Sequence, residues 1–335
     1  MKPVIFGLSG AELTADEAAF FREADPAGYA LFKRNCVDRA QLSRLTDALR
    51  SLHGRDNLAI AIDQEGGRVA RMQPPEWPAF PAQAVFEALY ELAPISAMEA
   101  ARANAKALAL MIGEVGMTVN FLPLLDVRTA DTHAAIGDRS LGSDPIRVAS
   151  LGRAVVDGLR EGGVVGVVKH MPGQGRAVVD SHHELPVVNA DEATLVGDLF
   201  AFERLNDAPM GMTGHIMFPV WDAEHCATLS PVIIREIIRG RIGFDGLLMS
   251  DDLDMKALTG NVASRAAGCV AAGCDVALKC SGAMDEMIAI ADALPDITAR
   301  GAERLAAAMA TVVPATEFAE MADLIAHRDA LLALV

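Results

Sequence analysis

The chain has 335 residues, 52% of them hydrophobic, and carries 45 acidic against 29 basic side chains for a formal net charge of −16. Such a composition belongs to a globular protein with a sizeable buried core, not to a disordered one. The negative balance, with no run of Lys and Arg, excludes nucleic acid as the expected partner and obliges any anionic ligand to meet a local cluster of positive charge.

The first apolar run, from Val4 to Leu8, is too short for the core of a secretory signal. No stretch approaches the ~20 apolar residues of a membrane span, so no membrane partner is expected. Further along, short apolar runs bounded by Gly, Asp or Pro alternate with amphipathic stretches, the pattern of repeated β-α units in a parallel sheet. Strands are predicted to begin near Val4, Tyr29, Leu58, Val119, Val164, Met210, Gly246 and Val276. Helices are predicted over 38–52, 95–115, 145–161, 192–205, 231–241 and 263–272. Eight strands with helices between them predict an α/β protein, a (β/α)8 barrel. Three further helical stretches, 284–294, 297–312 and 317–335, are expected to pack outside the barrel. With no linker, charge block or repeat to mark a boundary, residues 1–335 read as a single domain. The five cysteines, Cys36, Cys226, Cys269, Cys274 and Cys280, lack metal or disulfide spacing and read as reduced, buried thiols of a cytoplasmic protein.

A barrel builds its active site at the C-terminal ends of its strands, so the polar residues that close apolar runs are the candidates. The run from Leu58 to Ile62 ends in Asp63-Gln64-Glu65-Gly66-Gly67-Arg68, and that from Val164 to Val168 in Lys169-His170. The run from Gly246 to Met249 ends in Ser250-Asp251-Asp252, while 210–214 precedes His215. Two carboxylates, a Lys-His pair and a further His on one rim make a catalytic inventory. The long Pro- and Gly-rich loops after Asp63 and His170 fit a functional rim.

The stretch from Ile237 to Asp254, with Gly243-Phe244-Asp245-Gly246 leading into Ser250-Asp251-Asp252-Leu253, resembles the nucleophile signature of glycoside hydrolase family 3. Lys169-His170-Met171-Pro172-Gly173-Gln174-Gly175, followed by Asp180-Ser181-His182, is similar to the substrate loop of that family's bacterial β-N-acetylglucosaminidases, the cytoplasmic enzymes of peptidoglycan recycling. The resemblance extends through 63–71 and 136–142. It implies a single-domain barrel and Asp251 as nucleophile, with an acid/base dyad of His182 with Asp180 and substrate contacts at Asp63, Arg71, Arg139, Lys169 and His170. It implies no cofactor and no metal. The implied substrate is a terminal β-linked N-acetylglucosamine on a muramyl or anhydromuramyl sugar, handled by a monomer. Gln174 departs from the pattern, standing where these enzymes more often carry a second His.

Each assignment has a chemical reason. A retaining glycosidase needs an ionised nucleophile under the anomeric carbon and an acid on the other side of the leaving oxygen. Lys169 is expected to favour the charged form of Asp251. Imidazole titrates near neutrality, so His182 can both give and take a proton, with Asp180 orienting the ring and the whole loop expected to close over sugar. Pyranose hydroxyls donate and accept at once and are well held by charged partners such as Asp63, Arg139, Lys169 and His170. Arg71, Arg139, Lys169 and Arg176 are expected to make the mouth locally positive for an anionic ligand. The remaining polar residues are read as structural. Glu65 and Arg68 brace the Gly66-Gly67 turn, Asp252 points away from Asp251, Asp254 caps a helical run from Met255, and His183 is a bystander. Asp126 sits behind the site, and His215 either lines it or is a satisfied buried residue.

Three competing readings are weighed. A family 3 β-glucosidase or β-xylosidase typically carries a second domain after the barrel and lacks the Asp180-His182 loop. A metal-dependent hydrolase would use His133, His170, His182, His215 and Asp251, without the paired ligands usual at a barrel strand end. A sugar sensor has no need of a nucleophile.

Overall fold

In the computed structural model, which describes residues 1–313 and 320–335, eight parallel strands pair in chain order and close into a barrel. They are β1 (Lys2–Gly7), β2 (Pro26–Leu31), β3 (Ala59–Ile62), β4 (Val119–Asn120), β5 (Val165–Met171), β6 (Met210–Thr213), β7 (Leu247–Asp252) and β8 (Val276–Lys279), with β8 pairing back onto β1. Every strand starts within three residues of its predicted position.

Period-two alternation sorts the strand side chains into two cores. Ile5, Ala61, Val165, Val167, Met210, Met249 and Val276 fill the barrel interior. Their neighbours Val4, Phe6, Ile60, Ile62, Val168 and Leu248 face the surrounding helices. This is why the strands read as unbroken apolar runs: both faces are buried.

The predicted helices appear as α2 (Arg39–His53), α4 (Pro94–Glu114), α5 (Pro145–Glu161), α6 (Glu192–Arg204), α7 (Val262–Ala272) and α8 (Met284–Ala293). Their starts carry side-chain caps where the sequence has Asp or Asn. Asp38, Asp144, Asp191 and Asn261 each accept a backbone N–H from three residues on, satisfying an orphan donor of the first turn. The predicted helix 231–241 is a wide-turn, π-type segment over Ile233–Arg241.

Two helices are additional to the prediction. One is α1 (Ala15–Ala24), which opens with a capping box between Thr14 and Glu17, and the other is α3 (Val85–Leu92), which runs almost directly into α4.

The C-terminal helices do more than pack outside. In α9 (Ala299–Met309), Leu305, Ala308 and Met309 join the interior core and close the barrel's N-terminal end. That end is tied by Ile297 N–H to the Met1 carbonyl at 3.0 Å and by Lys2 Nζ to the Leu294 carbonyl at 2.6 Å. Of the expected tail helix 317–335, residues 317–319 lie outside the described residues; the rest contains α10 (Glu320–Leu332), docked on α4. Buried Arg328 donates there to Asn104 Oδ1 at 3.0 Å, and Lys106 Nζ lies 2.8 Å from Glu320. With one end closed, access to the barrel is from the C-terminal ends of the strands.

Candidate active site

That open end holds a cavity of about 240 Å³. Asp251, His182, Asp180, Asp63, Arg71, Arg139, Lys169 and His170, the eight residues nominated from sequence, all line it.

The loop after β3 supplies the first carboxylates. Gln64 shapes it: its Oε1 accepts the N–H groups of Arg71 and Met72 at 2.8 and 3.0 Å, folding the chain back on itself. Gly66, at φ 100°, makes the turn, and a Cβ there would meet the Pro81 carbonyl oxygen at 2.2 Å. Asp63 thereby receives Lys169 Nζ on one oxygen and Arg71 Nη2 on the other, both at 3.0 Å.

Glu65 does not pair with Arg68. Its carboxylate takes Arg139 through two parallel bonds of 2.9 and 2.8 Å and Lys169 Nζ at 2.7 Å. Arg68 instead binds Asp138 and the carbonyls of Ala134 and Ala135, fastening the 134–138 segment over the turn. Burial works against the charges of Asp63 and Glu65, but Lys169 with Arg71 or Arg139 outweighs it and holds both carboxyls below the usual range. By the same pairing, and against burial, Lys169 and Arg139 are held above their ordinary values. Lys169 is thus committed to Asp63 and Glu65. No hydrogen bond or ion pair joins it to Asp251 among the described residues.

The end of β5 is organised by Asp126, which is fully buried. Its Oδ2 lies 2.8 Å from His170 Nδ1, while Oδ1 accepts the N–H of Gln174 at 2.6 Å. An ionised carboxylate only accepts, so His170 carries its proton on Nδ1 and leaves Nε2 for the cavity. Gly175 permits the close approach of this loop to the strand-β4 side, where a Cβ would lie 1.8 Å from the Val127 carbonyl oxygen. Arg176 turns away from the mouth and pairs with Asp198 on α6 at 2.6 Å, so it adds no free charge to the cavity.

At the far end of the same loop, His182 Nδ1 lies 2.8 Å from Asp180 Oδ1, which also accepts the His182 N–H at 2.9 Å. That backbone bond and the imidazole outweigh burial and hold the Asp180 carboxyl low. Nδ1 therefore donates to Asp180, and Nε2 is the atom available to a ligand. The ring stands at the rim, 64% exposed. His183 is farther from the carboxylate, at 4.0 Å, and does not line the cavity.

Asp251 lies on β7, where its Oδ1 accepts the N–H of Asp252 at 2.8 Å. Asp252 does not point away: it also lines the cavity, with Oδ1 accepting the N–H groups of Asp254 and Cys280 at 3.0 and 3.2 Å. Burial first, then the nearby charges of Asp254 and Asp251, raise its carboxyl to about 7.

Asp254 caps no helix. It binds Lys279 Nζ and the Ser281 N–H, and α7 starts only at Val262. The N–H groups of Lys256 and Ala257, which a capping Asp254 would accept, go to the carbonyls of His182 and Ser181. His215 is a satisfied buried residue. Nε2 donates to the Asp252 carbonyl at 3.0 Å, Nδ1 meets Thr228 Oγ1 at 2.8 Å, and burial lowers its pKa.

His133 Nδ1 accepts the N–H of Ala135, and the remaining histidines are spread as described. Among the described residues no three His, Cys, Asp or Glu side chains are arranged to hold a metal ion. Sequence reasoning missed Glu65 as the hub of the cation cluster and Asp252 as a cavity residue, and placed Gln174 and Ser181 in the loop without a part in the cavity. Proximity along the chain to Asp63, Asp251, His170 and His182 was the available signal.

A closed barrel with a strand-end carboxylate and a carboxylate-bound histidine around one small polar cavity is the framework of an acid/base hydrolase. Residues 8–313 match the Glycosyl hydrolase family 3 N terminal domain, and the chain belongs to that family: it is a glycoside hydrolase. It is 36% identical over 284 residues to a beta-hexosaminidase of Bordetella avium, covering 83% of this chain and 80% of that one. A beta-hexosaminidase of Chromobacterium violaceum is 36% identical over 311 residues, covering 90% and 85%. Among solved structures, NagZ from Neisseria gonorrhoeae in complex with N-trifluoroacetyl-D-glucosamine superimposes with a TM-score of 0.87 at 29% identity, covering 99% of this chain and 97% of that one.

Proposed function

We propose that the protein is a retaining exo-β-N-acetylglucosaminidase that removes terminal β-linked N-acetylglucosamine from muropeptides during cell-wall recycling in the cytoplasm. The observation that carries this reading is the convergence of eight residues from separate parts of the chain on one cavity, with the 2.8 Å His182–Asp180 contact at its rim. The cavity, about 240 Å³, is smaller than the roughly 300–1,000 Å³ of pockets for drug-sized ligands and suits one sugar ring, which favours an exo enzyme. The relatives named beta-hexosaminidase and the neighbour holding an N-acylated glucosamine support the sugar. No helix among the described residues is long and apolar enough to cross a membrane. Action as a monomer is part of this proposal.

In this mechanism the Asp63 and His170 groups, with Lys169, Arg71 and Arg139, fix the ring hydroxyls. Asp251 attacks the anomeric carbon as His182 Nε2 protonates the leaving oxygen, giving a glycosyl-Asp251 ester. Neutral His182 then takes a proton from water, which attacks the ester and frees the sugar with overall retention. Asp180 keeps the ring in one tautomer and stabilises the imidazolium. Lys169, Arg71 and Arg139 are already paired with Asp63 and Glu65, so the cavity offers the anionic muramyl part no surplus positive charge, against the expectation of a locally positive mouth.

The test is hydrolysis of an aryl β-N-acetylglucosaminide beside the matching β-glucoside by wild type, Asp251→Ala and His182→Ala. Release from the acetamido sugar alone, abolished by the first substitution and strongly reduced by the second, is the expected result. Activity that survives Asp251→Ala would overturn the nucleophile.

A further inference from the structure

Gln174 and Ser181 are shut away from solvent, 4% and 2% exposed, at the two ends of the loop that carries the acid/base pair. Gln174 Nε2 donates to Ser181 Oγ at 3.0 Å, and Ser181 stands between Asp180 and His182 in the chain. Gln174 is anchored from behind, since its N–H donates at 2.6 Å to Asp126, the carboxylate that orients His170. On the other side, Ala257 N–H reaches the Ser181 carbonyl at 3.2 Å and Lys256 N–H the His182 carbonyl at 3.4 Å. Hydrogen bonds therefore run without a break from His170, through Asp126, Gln174 and Ser181, to the segment that follows Asp251.

We propose that the Gln174–Ser181 hydrogen bond is a latch that sets where His182 stands over the leaving oxygen, which makes Gln174 a positioning residue for the proton-transfer step. This rests on the reading of His182 as the acid/base given above. The His182 ring is 64% exposed and packed by little, so its place depends on Asp180 and on the backbone between them, which is the backbone of Ser181. Of the ties that Ser181 and His182 make outside their own turn, the Gln174 bond is the shortest and the one made between buried side chains. A hydrogen bond in such surroundings is stronger than one in water. A carboxamide also donates at every pH at which an imidazole changes charge. The latch thus stays in place while His182 gives up one proton and takes another in each turnover.

The experiment measures kcat/KM for two β-N-acetylglucosaminides, one with a sugar leaving group and one with 2,4-dinitrophenolate. The proteins are wild type, Gln174→Ala, Ser181→Ala, the double variant and His182→Ala. Departure of a sugar needs protonation, whereas dinitrophenolate leaves without it. Each single variant is expected to lose about tenfold toward the sugar leaving group and less than about twofold toward dinitrophenolate. The double variant should be no worse than either single one, because both remove the same interaction. Thermal melts identify variants that fold, and if Gln174→Ala does not, Ser181→Ala, which removes one oxygen, carries the test. Equal losses with both leaving groups, or losses that add in the double variant, would overturn the latch alone. A wild type silent toward both compounds, or a His182→Ala variant as fast as wild type toward the sugar leaving group, would instead overturn the acid/base reading.

Discussion

Glu65 holds Arg139 through two parallel hydrogen bonds of 2.9 and 2.8 Å, and Lys169 Nζ lies 2.7 Å from the same carboxylate. Glu65 is 1% exposed and does not line the cavity, yet it places two cations that do. Glu65→Gln keeps the shape but removes the charge and one acceptor from the pair. Losing a charge-assisted bond costs about 1.5–3 kcal/mol, so kcat/KM on an aryl β-N-acetylglucosaminide should fall roughly 10- to 100-fold. Steady-state kinetics on the folded variant check this, and an unchanged kcat/KM would show that Arg139 needs no such support.

The 2.8 Å contact between Asp180 and His182 predicts a graded series. Removing the imidazole in His182→Ala should lower kcat about 10²- to 10⁴-fold, the usual contribution of a general acid/base. Asp180→Asn leaves the ring in place, but its amide group can present either a donor or an acceptor to Nδ1 and no longer stabilises the imidazolium. Its loss should therefore fall between wild type and His182→Ala. A kcat equal to that of wild type would mean that Asp180 plays no part in proton transfer.

The residues that gather at the cavity were legible in the sequence because chemistry-bearing side chains close unbroken apolar runs, and a barrel brings all such ends to one rim. Who pairs with whom was not legible. Lys169 goes to Asp63 and Glu65, Arg176 to Asp198 and Asp254 to Lys279, each a choice made by elements distant in sequence. Local pattern also misled where tertiary contacts compete: Asp254 read as a helix cap, but the N–H groups it would accept are taken by the His182 loop and its carboxylate by Lys279. The capping box at Thr14 and Glu17 marks the start of α1, whose apolar face is weak: only Glu17, Phe21 and Ala24 are buried.

Lys169 is 2% exposed and neutralises two carboxylates at once. Lys169→Met retains the apolar stem but leaves Asp63 and Glu65 facing each other with Arg71 and Arg139 as their remaining partners. Breaking a buried pair by removing one member costs about 3–5 kcal/mol, because the charge left behind stays desolvated. Chemical denaturation at neutral pH should show a loss of that order. The deficit should shrink as the pH is lowered, since carboxyls deprived of Lys169 protonate more readily than those of the wild type. A loss independent of pH would assign the cost to packing instead.

Asp63 and Asp252 give opposite pH dependences. The Asp63 carboxyl is held low by Lys169 and Arg71 against burial, so its contribution is present above the unfolded carboxyl value and is lost as the pH falls through the folded one. The Asp252 carboxyl is raised to about 7 by burial and by the charges of Asp254 and Asp251. Its folded form holds the proton more tightly than its unfolded form, so its contribution is complete below about pH 4 and is lost as the pH rises through about 7. Asp252→Asn removes that second titration, while its side-chain oxygen can still accept from Asp254 and Cys280, the two donors that hold Oδ1 now. Stability measured from pH 4 to 8 should therefore decline more for wild type than for Asp252→Asn, by an amount on the order of a few kcal/mol. The low-pH limb, set by Asp63 and Glu65, should be the same in both. Parallel curves across pH 4 to 8 would mean that Asp252 is ionised throughout and that Asp251 works beside a second negative charge.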